Sequence, residues 1–458
     1  MSSPGAPPPV LRTAVSAPAE SPAPRHLEGW ICVIALILLL YAASLVPDKH
    51  AKPKVQDVSE AQWQLKLEVF RYRLGHSDTG SPVVGTAMGD LTAQRATNPI
   101  AAEFYAAEQR LHGRKLKPAD LDPMRKSDNS VDRSVANLFG TAPVDPATVA
   151  QLSRGLDQRG FLGELIEAEA YDSAGNPRPI KELEDHTATT LFAFFSLAGL
   201  VVVASPILWL IVLGKRESGV LRPLGFPSAL SSLADADRYA MRGAQILTLF
   251  LGLQIVAFLI AGAFVDKETA TQFSLGILML VGVPILFRTV LYRKTISLAS
   301  IGVQPRQLGQ MVSIGLLGFV LEFPAAMALA ALGSFLFGRF HQASHPVTTQ
   351  LLGTHTSAYV WSALFFASIA APFWEEILFR GLLFPVLSKV FKSAVLGAAV
   401  SSFIFGAIHP QGLPLWLTLM GMAGMSCALT YHTKSLVPSM VMHALHNGMA
   451  LLFILALT

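Results

Sequence analysis

Long apolar runs constrain this chain more than any other feature. They fall at residues 30–46, 189–213, 244–265, 273–291, 312–337, 358–390, 393–409, 414–431 and 437–457. A bilayer core of about 30 Å takes about 20 helical residues, and lipid offers no partner to an unpaired backbone N–H or C=O. The runs therefore predict an all-α polytopic membrane protein with about nine transmembrane helices. Composition agrees: 52% of the 458 residues are hydrophobic, 14% are charged and the mean hydropathy is +0.47, which excludes a soluble protein of this length.

Five segments follow from this pattern. Residues 1–28, rich in Pro, Ala and Ser, bury too little apolar surface to fold and form a tail. Residues 29–46 read as an uncleaved transmembrane anchor. Residues 47–186 turn polar, and stretches such as "VSEAQWQLKLEVFRYRL" carry helical spacing, so a mostly helical extramembrane domain is expected between the first and second spans. Residues 187–350 hold further transmembrane helices, and 351–458 form the C-terminal core. Cys32 and Cys427 both lie in apolar runs, so no disulfide framework is expected.

Charge sets the expected orientation. Lys215, Arg216, Arg222, Arg238 and Arg242 follow the second run, and Arg293, Lys294 and Arg306 follow the fourth. The positive-inside rule places those loops and the N-terminus in the cytoplasm and residues 47–186 outside, against a mild counter-signal from Lys49, Lys52 and Lys54. The Ala, Gly and Pro bias suggests a GC-rich bacterium, hence a bacterial cytoplasmic membrane. The net charge of +4 fits contact with anionic lipid, and no basic and aromatic stripe suggests nucleic acid.

Ionisable groups are costly in lipid, which makes the C-terminal third informative. Glu375, Glu376, Arg380, His409, His443, His446 and Asn447 all lie in or at the edge of apolar segments. Glu376 and Arg380 are spaced by four and share a helical face as an ion pair, whereas Glu375 points about 100° away and is free to titrate. Pro372 predicts a kink or helix break just before the acids. A turn near Phe391 to Ser393 divides the interval between Glu375 and His409 into similar arms, bringing both side chains to one depth. Such a pair can activate a water. His443 and Asn447 share a face and can donate to a developing oxyanion. The bland reading makes each residue a helix-to-helix hydrogen bond. Glu322 reads as a packing or gating residue, and His446 has no assigned role. A divalent metal such as zinc on Glu375, His409 and His443 ranks below a metal-free site.

The segments "EEILFR", "FGAIH" and "HALHN" resemble the motifs EExxxR, FxxxH and HxxxN of the CPBP intramembrane endopeptidases. That group includes the type II CaaX prenyl endopeptidases, lysostaphin-resistance-like proteins and bacteriocin-processing proteins. The resemblance covers about residues 355–457 and implies a helical core with a conical, cytosol-accessible cavity. It implies that Glu375 and His409 activate the water, that His443 and Asn447 form the oxyanion site, and that Glu376 and Arg380 buttress them. The expected partners are the bilayer and a peptide or protein substrate, lipidated in some relatives. The alternative function is a non-catalytic membrane scaffold or bacteriocin-immunity factor that binds a partner through the same polar cluster.

Overall fold

The structure, a computed structural model, describes residues 55–74, 91–140, 161–215, 307–337, 364–409 and 412–457, with isolated positions between them. Its described elements are helical. In chain order they are α1 (Val55–Arg73), α2 (Pro99–Leu111), α3 (Ser130–Gly140), α4 (Phe161–Ser173), α5 (Arg178–Gly214), α6 (Leu308–Phe337), α7 (364–390), α8 (Ala394–Ala407), α9 (Leu413–Thr433) and α10 (Val437–Leu457).

The first four helices have a core of their own, in which Leu65, Phe104, Met124, Val135, Leu162 and Ile166 are buried. Local chemistry explains their starts. Asn98 accepts from the N–H groups of Ile100 and Ala101, and Pro99 takes the first helical position, where a missing N–H costs nothing. Gln62 on α1 accepts from Leu162 N–H at 2.9 Å and donates to the Arg159 carbonyl, stapling α1 to the start of α4. Beneath it Arg159 pairs with buried Glu103 at 3.3 Å and with Asp132. Burial pushes the Glu103 carboxyl up to about 8 despite Arg159, and burial does the same to Glu169.

Helix α5 joins this domain to the bundle. Its 37 residues extend about 55 Å, well beyond a bilayer core, so its polar first turns belong to the domain. Near their junction Phe70 of α1, Phe194 and Phe195 of α5 and Phe453 of α10 form an aromatic cluster, with Phe194 and Phe453 centroids 4.9 Å apart. The domain thus rests on the C-terminal end of α10.

Among the described residues four helices, α5, α6, α9 and α10, are long and apolar enough to cross a membrane; α8 is apolar but shorter. The predicted runs at 30–46 and 273–291, and most of 244–265, lie outside the described residues. Helices α6 and α9 pack antiparallel through small residues. A Cβ on Gly318 would meet Leu429, on Gly421 Leu329, and on Gly333 the Pro414 carbonyl oxygen at 2.0 Å. These contacts fix a common direction. The C-termini of α5, α7 and α9 and the N-termini of α6, α8 and α10 share the face away from the domain.

Helix α7 departs from the expected break at Pro372. It continues through the proline as two α segments, Ala371–Glu376 and Phe384–Val390, with wider π turns at Phe366–Ala370 and Ile377–Leu383. A π turn bonds i to i+5 and so changes which carbonyl loses its donor at a proline.

Candidate active site

The polar residues of the C-terminal third converge between α7, α8, α9 and α10. Their centre is His443, whose ring is 2% exposed and lies between both acids of α7. Its Nδ1 is 2.9 Å from Glu376 Oε1, and its Nε2 is 3.7 Å from Glu375 Oε2. The same Glu376 oxygen is 3.1 Å from Arg380 and accepts from Ser426 Oγ at 3.4 Å. A carboxylate at full burial is tolerable only with such partners. Glu376 therefore holds Arg380, as the four-residue spacing predicts, and also orients the imidazole.

Glu375 keeps 21% of its side chain exposed, and the histidine nearest to it is His443. No hydrogen bond or ion pair joins Glu375 to His409, although Glu375, His443 and Arg380 all act electrostatically on the His409 ring. Glu375 thus meets His443 directly and His409 only through its field, all three in one polar cluster. Phe405 lines that cluster. Its ring packs on Phe379, Arg380, His409 and His443, with centroids 4.5 Å from His409 and 5.8 Å from His443. The spacer keeps the imidazoles apart and lays the guanidinium 4.6 Å over its face.

His409 follows the end of α8, and its Nδ1 is 2.6 Å from the Phe405 carbonyl. The ring folds back along its helix into the site, since helical side chains lean toward the N-terminus. A histidine at the edge of α8 thereby reaches back toward His443, six residues into α10. From the other end, the second half of the turn between α9 and α10, Ser435 and Leu436, is buried. Leu436 is fully buried and donates to the Gly302 carbonyl at 3.0 Å, so His443 starts from a turn inside the protein.

Asn447 donates through Nδ2 to the Ala367 carbonyl at 2.8 Å. The N–H of Ala371 goes back to Phe366, so the next donor in the π turn would be residue 372, a proline. Asn447 supplies the hydrogen bond that Pro372 lacks. One of its two amide protons remains for another acceptor. This link between the first and third motifs has no signature in spacing, because it needs the π turn.

His446, without a role in the sequence reading, pairs with Glu322. Its Nδ1 lies 3.1 Å from Glu322 Oε2, and the ring packs edge-on to Phe323. Glu322 is buried, and its Oε1 has no partner among the described residues. Helix α10 thus carries two carboxylate–imidazole pairs, one facing α7 and one facing α6.

Three motifs therefore meet on one histidine. Residues 356–449 match the family model described as type II CAAX prenyl endopeptidase Rce1-like. The match covers about a fifth of the chain and contains Glu375, Glu376, Arg380, His409, His443 and Asn447. It agrees with the resemblance carried by the motifs, and the Rce1-like family is one of membrane proteases. No curated protein and no solved structure matches the chain. The matched segment spans α7 to α9 and the first part of α10, so the N-terminal domain, α5 and α6 lie outside it. Among the described residues no three His, Cys, Asp or Glu side chains converge closely enough to hold a metal ion.

Proposed function

We propose that the chain is an intramembrane endopeptidase that hydrolyses a peptide bond of a membrane-associated peptide or protein. The observation carrying this reading is His443 held between Glu376 and Glu375. Glu375, the more exposed acid, takes a proton from water as the oxygen attacks the scissile carbonyl, and His409 helps to position that water. The oxyanion is met by the free Asn447 amide proton and by His443 Nε2. With Nδ1 donating to Glu376, Nε2 donates only from the doubly protonated ring. Glu375 then passes its proton to the leaving amine. Arg380 and Glu376 hold the imbedded charges in register without touching substrate.

The protein is read as bacterial, with its N-terminus cytoplasmic and residues 47–186 forming an outward domain before the transmembrane and protease regions. The substrate is a peptide or protein segment, lipidated or not. Purified Glu375→Ala and His409→Ala variants should insert and fold like wild type and lose cleavage. Retained hydrolysis in either would overturn the mechanism. Activity lost to a chelator and regained with zinc would move the chemistry to a metal. Comparative peptidomics of membranes bearing wild type or Glu375→Ala identifies the substrates.

A further inference from the structure

One pair of polar side chains in the bundle has no place in the proposed chemistry. Glu322 stands midway along the 30 residues of α6 and His446 midway along the 21 of α10, at the depth where an ionisable group is most costly in a bilayer. The two meet at 3.1 Å, Glu322 with 2% and His446 with 13% of its side chain exposed. Glu322 lies outside the residues that match the family model. Polar bonds commonly join membrane helices, which accounts for the contact. It does not account for where on α10 the contact is made.

His446 directly precedes Asn447 and stands about one turn beyond His443. Those two are fastened to α7, His443 to Glu376 and Asn447 to the Ala367 carbonyl, so both draw α10 the same way. His446 leaves the helix about 100° from Asn447 and about 60° from His443, and it is fastened to α6 instead. A helix held from one side can still roll about its axis. One held from two directions within a turn cannot.

The anchor on α6 is itself held. One residue before Glu322, the Leu321 carbonyl accepts from Trp209 Nε1 of α5 at 3.2 Å, and two residues after it Pro324 removes a backbone donor from α6. Earlier in α6, Gly315 lies so close to α10 that a Cβ there would stand 2.8 Å from the Pro438 carbonyl oxygen and 2.6 Å from Val441. The glycine sets the separation of the two helices, and the acid–imidazole pair sets the rotation of α10.

We propose that Glu322 and His446 are positioning residues of the active site: by holding α10 to α6, they fix the rotation at which His443 and Asn447 face α7. The proposal rests on the protease reading for its effect on rate, but not for the placement of the helix. The pair touches no reacting atom. Its loss lets α10 turn, and a shift of about 1 Å at the oxyanion donors is enough to slow turnover without removing a contact to substrate.

The test uses the full chain and separates placement from stability. Glu322→Leu with His446→Phe replaces the polar pair by apolar side chains; Glu322→Met with His446→Leu stands in where that chain does not fold. Kinetics use a fluorogenic peptide spanning a cleavage site found by the peptidomics. The apolar pair should lower kcat roughly 10- to 100-fold with KM little changed. Glu322→Gln, whose amide oxygen still accepts from Nδ1–H, should keep most of the rate. In an Asn447→Ala background the apolar pair should lower kcat by a smaller factor, because part of what it positions is gone. A ruler independent of activity is the contact of α10 with α7 at Gly448, where a Cβ would lie 3.9 Å from that of Ser368, within the span of a disulfide. With Cys32→Ser, Cys427 being buried, Ser368→Cys and Gly448→Cys should cross-link readily on oxidation, and the apolar pair should slow that reaction. Wild-type kcat in the apolar pair, an undiminished factor in the Asn447→Ala background, or a cross-link as fast as in the parent would each overturn the proposal. The cross-link needs no cleavage, so it decides the placement of α10 even where the protease reading fails.

Discussion

At the scale of single residues, the two adjacent acids have different duties because they meet different nitrogens of one ring. Glu376 is fully buried against Arg380 and His443 Nδ1. Removing it leaves a guanidinium buried without its counter-charge, which costs about 3–5 kcal/mol. Glu376→Ala should therefore lower thermal stability in detergent sharply, whereas Glu375→Gln should leave the melting temperature near wild type and abolish cleavage. Asn447 gives a finer test. Asn447→Ala strands the Ala367 carbonyl, a loss of about 1–3 kcal/mol, and under the proposed mechanism also removes an oxyanion donor worth about 10²–10³ in kcat. Adding Pro372→Ala restores a backbone N–H opposite that carbonyl. The double variant should recover melting temperature but not turnover, which separates the structural hydrogen bond from the catalytic one.

At the scale of elements, the sequence was informative where chemistry is local and silent where it depends on packing. The Glu376 and Arg380 pair follows from a four-residue spacing and is present at 3.1 Å. The long spans α5, α6, α9 and α10 follow from apolar length alone. The π turns of α7 do not, since Pro372 signals a lost donor without saying how the helix absorbs it. The His446 and Glu322 pair was equally hidden, its members being on helices far apart in the chain. That pair pins α10 to α6. His446→Phe should destabilise the protein by leaving a buried acid unpaired, and Glu322→Leu with His446→Phe should regain much of the loss, measured by unfolding in detergent. The packing of α6 on α9 predicts a further cost. A methyl at Gly333 would clash with the Pro414 backbone, so Gly333→Ala should force the helices apart and lower stability by about 1–3 kcal/mol.

At the scale of the whole molecule, the N-terminal domain and the bundle have different currencies of stability. The bundle relies on apolar length and close helix contacts. The domain buries Glu103 and Glu169, both with carboxyls raised to about 8 from an ordinary 4.5. Between those values the folded domain holds protons that the unfolded chain has released, so its stability falls as pH rises through the window and levels off above about 8. Hydrogen-exchange protection factors in α2 and α4 should accordingly be larger at pH 6 than at pH 8, and Glu103→Gln should flatten the dependence. The aromatic cluster at the base of the domain then acquires a mechanical meaning. Phe453, on which Phe194 and Phe195 rest, stands less than two turns beyond Asn447 on a continuous helix. A helix is stiff along its axis and soft in bending. A load borne by the domain would reach the side chains of the candidate site as thrust down α10, the way a piston rod carries force past a seal.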